Sequence, residues 1–140
     1  MLFRSIIDDI RGVGMEAIVE PEWDHWELQQ VRNRARACVD QNHFQEAHDL
    51  LTPIIDHQPP DGHAHYLLAY TMHLLRNDCQ KALRHYDIAL QAGFDEFWVR
   101  YNQGALCLDL GMLAQAKDHL TRAHALRPDH PGVLALLGNA

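Results

Sequence analysis

The sequence predicts an all-α protein: an α-solenoid of stacked helix pairs. Three observations lead there. An alanine-centred pattern recurs at a spacing close to the length of one helix pair. Apolar residues recur every three and four positions, the period of a helix rather than a strand. The composition is that of one ordinary globular domain. The chain has 140 residues, enough for a single domain that needs no disulfide or metal staple. Apolar residues (tyrosine included) make up 47% and charged residues 22%. The formal net charge is −7, which disfavours nucleic acid and anionic membrane as broad-surface partners. Cys38, Cys79 and Cys107 form no close pair. They argue against a disulfide framework and for a reducing, cytoplasmic compartment. No apolar run reaches the roughly 18 residues that would span a bilayer. Asp8 and Asp9 interrupt the apolar N-terminus, so it does not read as a secretory signal.

The first element is an amphipathic helix with its linker over residues 1–20. Phe3, Ile6, Ile7, Ile10 and Val13 lie on one face, with Arg4, Asp8, Asp9 and Arg11 between them. Gly12 and Gly14 end it, and Pro21 opens the next helix in its first turn. The face is expected to fold over the following helices as a cap, or to serve as a dimer or partner contact. Its balanced charge disfavours a membrane surface.

Three segments then align on Ala47, Ala82 and Ala116, which are 35 and 34 residues apart. Four residues after each comes a large residue: Leu51, Tyr86 or Leu120. Twelve residues before each lies Ala35, Tyr70 or Gly104, and twelve after lies Pro59, Phe94 or Pro128. A small residue lets two helix backbones approach, and the large residue fills the space beside it. Proline ends the second helix because it lacks a backbone donor. These residues resemble the tetratricopeptide repeat (TPR), a helix–turn–helix of 34 residues.

The resemblance covers roughly residues 24–140 and implies a TPR domain over 21–140, with repeats at about 28–61, 63–96 and 97–130. It implies a right-handed α-solenoid of three TPR helix pairs with an N-terminal helix and a C-terminal capping helix. The first repeat departs at Pro53 and Ile54, and Pro53 should loosen the last turn of its helix. The second departs at Tyr70, where a small residue is usual, and at Phe94, where Gly93 supplies the stop. Its helix pair is therefore expected to pack less tightly. The third matches best, with helices expected over Trp98–Leu110 and Leu113–Leu126. Leu134, Leu137 and Gly138 begin a fourth first helix, the partial cap over 131–140. That stretch carries no charge, although a solenoid cap normally has a polar outer face. This end is therefore expected to meet a partner, to pair with another copy or to continue into a longer protein, and Leu134 and Leu137 are candidate oligomer or partner contacts.

No catalytic constellation is visible. There is no P-loop, dinucleotide fingerprint or nucleophile elbow, so no enzyme activity and no cofactor are expected. The eleven histidines include no pair four apart, and no convergent metal-ligand set emerges. Cys38 and Cys107 occupy equivalent helix positions and should be buried, with Cys79 more exposed.

In the TPR family the first helix of each repeat lines a concave groove that takes peptides or helices. The resemblance therefore places a groove on Arg32 and Arg36, then on Leu67, Thr71 and Leu74, then on Trp98, Tyr101 and Asn102. Asp40 follows the arginines. Such a groove would take a partner segment with an acidic residue and apolar anchors. Some family members clamp a chaperone's C-terminal carboxylate. Here the matching positions offer Arg32, Arg36 and Asn102, but Leu68 and Trp98 stand where polar or basic groups belong. The implied function is a TPR adaptor. A small dimeric secretion or assembly chaperone, or a structural subunit of a larger complex, remains the alternative.

Overall fold

The computed structural model describes residues 23–57 and 59–139. The helix expected over residues 1–20, with Phe3, Ile6, Ile7 and Ile10, lies outside them. Among the described residues there are seven α-helices, one short 3₁₀ turn and no strand. They are α1 (His25–Asp40), α2 (Phe44–Leu51), α3 (Gly62–Leu75), α4 (Cys79–Gln91), α5 (Glu96–Asp109), α6 (Leu113–Leu126) and α7 (Pro131–Asn139). Each helix packs chiefly on its neighbours in sequence, which makes three stacked helix pairs and a terminal helix. None is long and apolar enough to cross a membrane.

Aspartates start the first helices. Asp24 and Glu27 form a reciprocal capping box at α1, at 2.8 and 3.1 Å. Asp61 accepts from the Ala64 amide at α3 (3.0 Å), and Asp95 from the Phe97 amide at α5 (3.0 Å). Pro53 ends α2 as its chemistry requires: the chain tightens into a 3₁₀ turn over Thr52–Ile54.

The turn inside each pair sets the register. The amides of His43, Asn77 and Met112 donate to the carbonyls of Cys38, Met72 and Cys107, at 2.7, 3.0 and 2.8 Å. Each turn passes through a left-handed residue: Asn42 (φ 64°), Arg76 (φ 57°) and Gly111 (φ 75°). This is the same helix stop used three times. Three residues before each carbonyl stand Ala35, Ala69 and Gly104, all buried. The small residue of the middle repeat is therefore Ala69, not Tyr70. Asn77 is one extra residue between the left-handed turn and the helix cap, and it shifts any alignment anchored on Ala82.

With that correction the middle pair is closed. Ala69, Ala82, Tyr86 and Ala89 are all fully buried, so the looser packing expected there does not occur. In the third pair a methyl on Gly104 would lie 2.5 Å from Cγ of Leu120. The glycine is needed because Leu120 occupies its side-chain space. Gly93, at φ 89°, ends α4, with the Phe94 amide donating to the Ala89 carbonyl. Cys38 and Cys107 are buried and Cys79 is half-buried. Burial raises the thiol pKa of both buried cysteines and keeps them protonated.

Candidate functional site: a groove across the first helices

The first helices α1, α3 and α5 border an open groove of about 460 Å³. Arg36, Val39 and Asp40 come from α1; His63, Tyr66, Leu67 and Tyr70 come from α3; Trp98 comes from α5, and Phe94 from the loop before it. The aromatic floor is preorganised. Phe94 stacks on Tyr66 with ring centroids 4.6 Å apart, and on His63 at 5.2 Å. The amide nitrogen of Asn102 donates to the Tyr66 hydroxyl (2.8 Å) and to the Trp98 carbonyl (2.9 Å). A buried amide thus fixes one groove tyrosine to the next repeat.

Charge in the groove is uneven. Arg36 is exposed and has no carboxylate partner among the described residues. His63 has its pKa lowered, first by burial and then by Arg32 and Arg36, with Asp61 opposing. It is therefore a neutral aromatic surface at pH 7. Burial raises the Tyr66 hydroxyl pKa, so that group stays a neutral donor or acceptor.

Of the residues predicted from sequence, Arg36, Leu67 and Trp98 meet in this groove. Arg32 does not offer its charge there. Its guanidinium is 2.7 Å from the Asp61 carboxylate, the same side chain that caps α3. Thr71 is buried, and its hydroxyl donates to the carbonyls of Leu67 (2.9 Å) and Leu68 (2.8 Å). It faces the core, not a ligand. Leu74 is 40% exposed but does not line the groove. Asn102 is committed to Tyr66. Tyr101 is half-buried against Phe97 and His130, at 5.9 and 5.4 Å between centroids. Leu137 packs on the Phe97–Ala123–Val133 cluster, whereas Leu134 is 49% exposed.

The misplacement on α3 has one physical cause. Counting from the second-helix alanines puts Leu67 and Thr71 opposite Arg32 and Arg36. Counting from the small residues Ala35, Ala69 and Gly104 puts Tyr66 and Tyr70 there instead. Arg32, Tyr66 and Tyr101 are then equivalent, as are Arg36, Tyr70 and Ala105. Aligning the first helices on their own small residues would have found the groove tyrosines. Phe94 and His63 gave no comparable signal, because their contact depends on where the loop before α5 folds back.

No family model and no curated protein sequence matches the chain. Solved structures do match it. One is the first TPR of Spaghetti (RPAP3) bound to the HSP90 peptide SRMEEVD, at 18% identity and a TM-score of 0.75. The match covers 84% of this chain and 93% of that one. This chain has a TPR-like fold. A second is the Yersinia enterocolitica type III secretion chaperone SycD with a peptide of the translocator YopD, at 17% identity and a TM-score of 0.72. It covers 85% of this chain and 95% of that one. The TPR-like α-solenoid expected from the repeat spacing is therefore the fold found.

Proposed function

We propose that the protein is a TPR adaptor that binds a peptide or helix of a partner protein in its concave groove. The observation that carries this reading is the groove itself. Four aromatic rings (Tyr66, Tyr70, Phe94 and Trp98) lie around an open floor, with Arg36, which forms no ion pair among the described residues, and Asp40 also lining it. Such a surface suits an aromatic or aliphatic anchor flanked by a carboxylate. Aromatic and arginine side chains are the usual carriers of binding energy, and a charge-assisted contact to Arg36 would orient the segment.

The peptides held by both structural relatives support a protein ligand. The chemistry lies nearer to an apolar-anchor groove than to a carboxylate clamp. In the corrected register Leu67 and Trp98 stand where polar or basic clamp groups would be needed, and Arg32 is neutralised by Asp61. That favours a chaperone-like partner segment over a charged C-terminal tail.

The test is selection of peptides from a displayed library, followed by fluorescence anisotropy. Selected peptides should carry an apolar or aromatic residue and a nearby Asp or Glu. Tyr70→Ala and Arg36→Glu should each weaken binding about tenfold or more, with unchanged circular dichroism. Arg32→Glu is the wrong probe, because it would set two carboxylates against each other at the α3 cap. Selected peptides whose affinity ignores both Tyr70 and Arg36 would remove the groove as the binding site.

A further inference from the structure

The groove carries two opposite charges that nothing else in the fold uses. Arg36 and Asp40 both line it, and both are exposed. They stand four apart on α1, hence on one face. Among the described residues neither forms an ion pair. Beside them lies the aromatic floor of Tyr66, Tyr70 and Phe94.

The chain's own first residues carry the matching pattern. Arg4 and Asp8 are also four apart. At about 100° per residue on a helix, they fall on one flank of the face formed by Phe3, Ile6, Ile7 and Ile10, with Asp9 on the other flank. Run antiparallel to α1, this segment sets Asp8 against Arg36 and Arg4 against Asp40 in a single register. Run parallel, it would set Arg4 against Arg36 and Asp8 against Asp40, like against like. Connectivity selects the antiparallel arrangement too. The chain has to return to Asp24, the cap at the start of α1, and Arg36 lies about 16 Å further along that helix. Asp8 precedes Glu22 by 14 residues and Arg36 follows it by 14, so a turn beside Pro21 closes the hairpin without stretching the chain.

We propose, building on the adaptor reading, that residues 3–10 of the same chain are the groove's resting occupant. They lie antiparallel to α1 with Asp8 on Arg36, Arg4 on Asp40 and the apolar face on the aromatic floor, and a partner segment binds by displacing them. The segment has the chemistry the groove selects, apolar anchors beside a carboxylate. Exposed ion pairs are individually weak, so the tether, rather than strong contacts, keeps the segment in place. A free partner can then compete. The arrangement also covers an aromatic patch that would otherwise invite non-specific contacts.

Two measurements on the full chain test this. The first needs no ligand. Arg36→Lys keeps the charge and adds an amine that a carbodiimide joins to a touching carboxylate. Isotopically labelled and unlabelled chains are mixed, and the products are mapped by mass spectrometry. An intramolecular link from position 36 to Asp8 is the expected result, with a link to Asp40 as the sign that coupling worked. A link to Asp40 with none to Asp8 would overturn the proposal. So would a link to Asp8 found only between labelled and unlabelled chains, which would assign the groove to a second copy. The second measurement is the affinity for the display-selected peptide, by fluorescence anisotropy. Arg4→Glu/Asp8→Arg opposes both pairs and should tighten binding about fourfold, the gain expected when the segment holds the groove in about three chains out of four. Circular dichroism checks that the variants fold. Unchanged affinity would overturn the displacement. Failure to select any peptide would count against the adaptor reading instead, and the cross-link would still decide whether the segment sits in the groove.

Discussion

The middle and third helix pairs share one backbone plan and differ in what lies between the helices. In the third, Gly104 receives Leu120, and Arg100 of α5 contacts His119. In the middle, Ala69 stands at the glycine position and Tyr86 at the leucine. The neighbouring contact is a buried histidine pair, His65 and His85. The third pair depends on close approach of backbones. The middle pair depends on a larger ring and on a hydrogen bond between two imidazoles, which requires that one of them accept. Both seams thus depend on a fully buried large side chain, the third on close backbone approach at Gly104 as well and the middle on pH as well.

Volume changes should give the largest effects. Tyr86→Ala would open a cavity at a fully buried site and cost about 3–5 kcal/mol. Leu120→Ala should cost about 3 kcal/mol on the same grounds. Gly104→Val should also destabilise, by about 2 kcal/mol or more, because the added side chain would overlap the fully buried Leu120. Urea unfolding measures all three. If Gly104→Val were neutral, the two seams would not differ as described.

Acid should separate the pairs next. Burial, then His65, Lys81 and Arg84, push the His85 pKa down to about 4, against an opposing effect from Asp56. The folded value lies below the ordinary imidazole value of about 6.5, so the unfolded chain binds the proton more readily. Stability is therefore fully present above pH 6.5 and falls as pH drops from there toward 4. The loss from this group reaches up to about 3 kcal/mol. His63, His65 and His119 are shifted in the same direction, with burial as the first cause. His85→Leu places in the middle pair the residue that the first pair has at Leu50. It should flatten the pH dependence between pH 6.5 and 4, whereas His119→Leu should flatten it less. Equal slopes for the wild type and His85→Leu would contradict the assignment.

Two smaller effects follow from the edges of the same helices. Asp109 lies 2.6 Å from His73 and 3.0 Å from Arg76, which tie α3 to α5. Its carboxyl pKa is lowered first by the His73 hydrogen bond, with burial opposing and Arg76 assisting. That contribution is present above the ordinary carboxylate range and lost as pH falls below it. The carboxylate is 40% exposed, so Asp109→Asn should cost only about 1 kcal/mol or less. Asn42→Gly should stabilise by about 0.5 kcal/mol, since glycine adopts the left-handed turn without strain. Gly111→Ala should destabilise by a similar or larger amount.

The fold was legible because its determinants are local and repeated. Ala47, Ala82 and Ala116 mark the second helices, and Pro53, Gly93 and Gly111 mark their limits, whatever surrounds them. The groove was legible only in part. Arg36, Leu67 and Trp98 were found, but one inserted residue, Asn77, moved the reading on α3 from Tyr66 and Tyr70 to Leu67 and Thr71. A side chain's face changes by about 100° per residue on a helix, so a slip of one turns a groove position into a core position. The ion pair of Arg32 with Asp61 and the contact of His65 with His85 join residues 29 and 20 apart in sequence. Nothing in their spacing announces either one.

The groove on α1, α3 and α5 is the proposed point of ligand entry. Hydrogen–deuterium exchange with a library-selected peptide tests it most directly. Protection is predicted over residues 36–40, 63–70 and 94–98, with α2, α4 and α6 unchanged. Protection confined to α2, α4 and α6 or to α7, with none over residues 63–70, would contradict it.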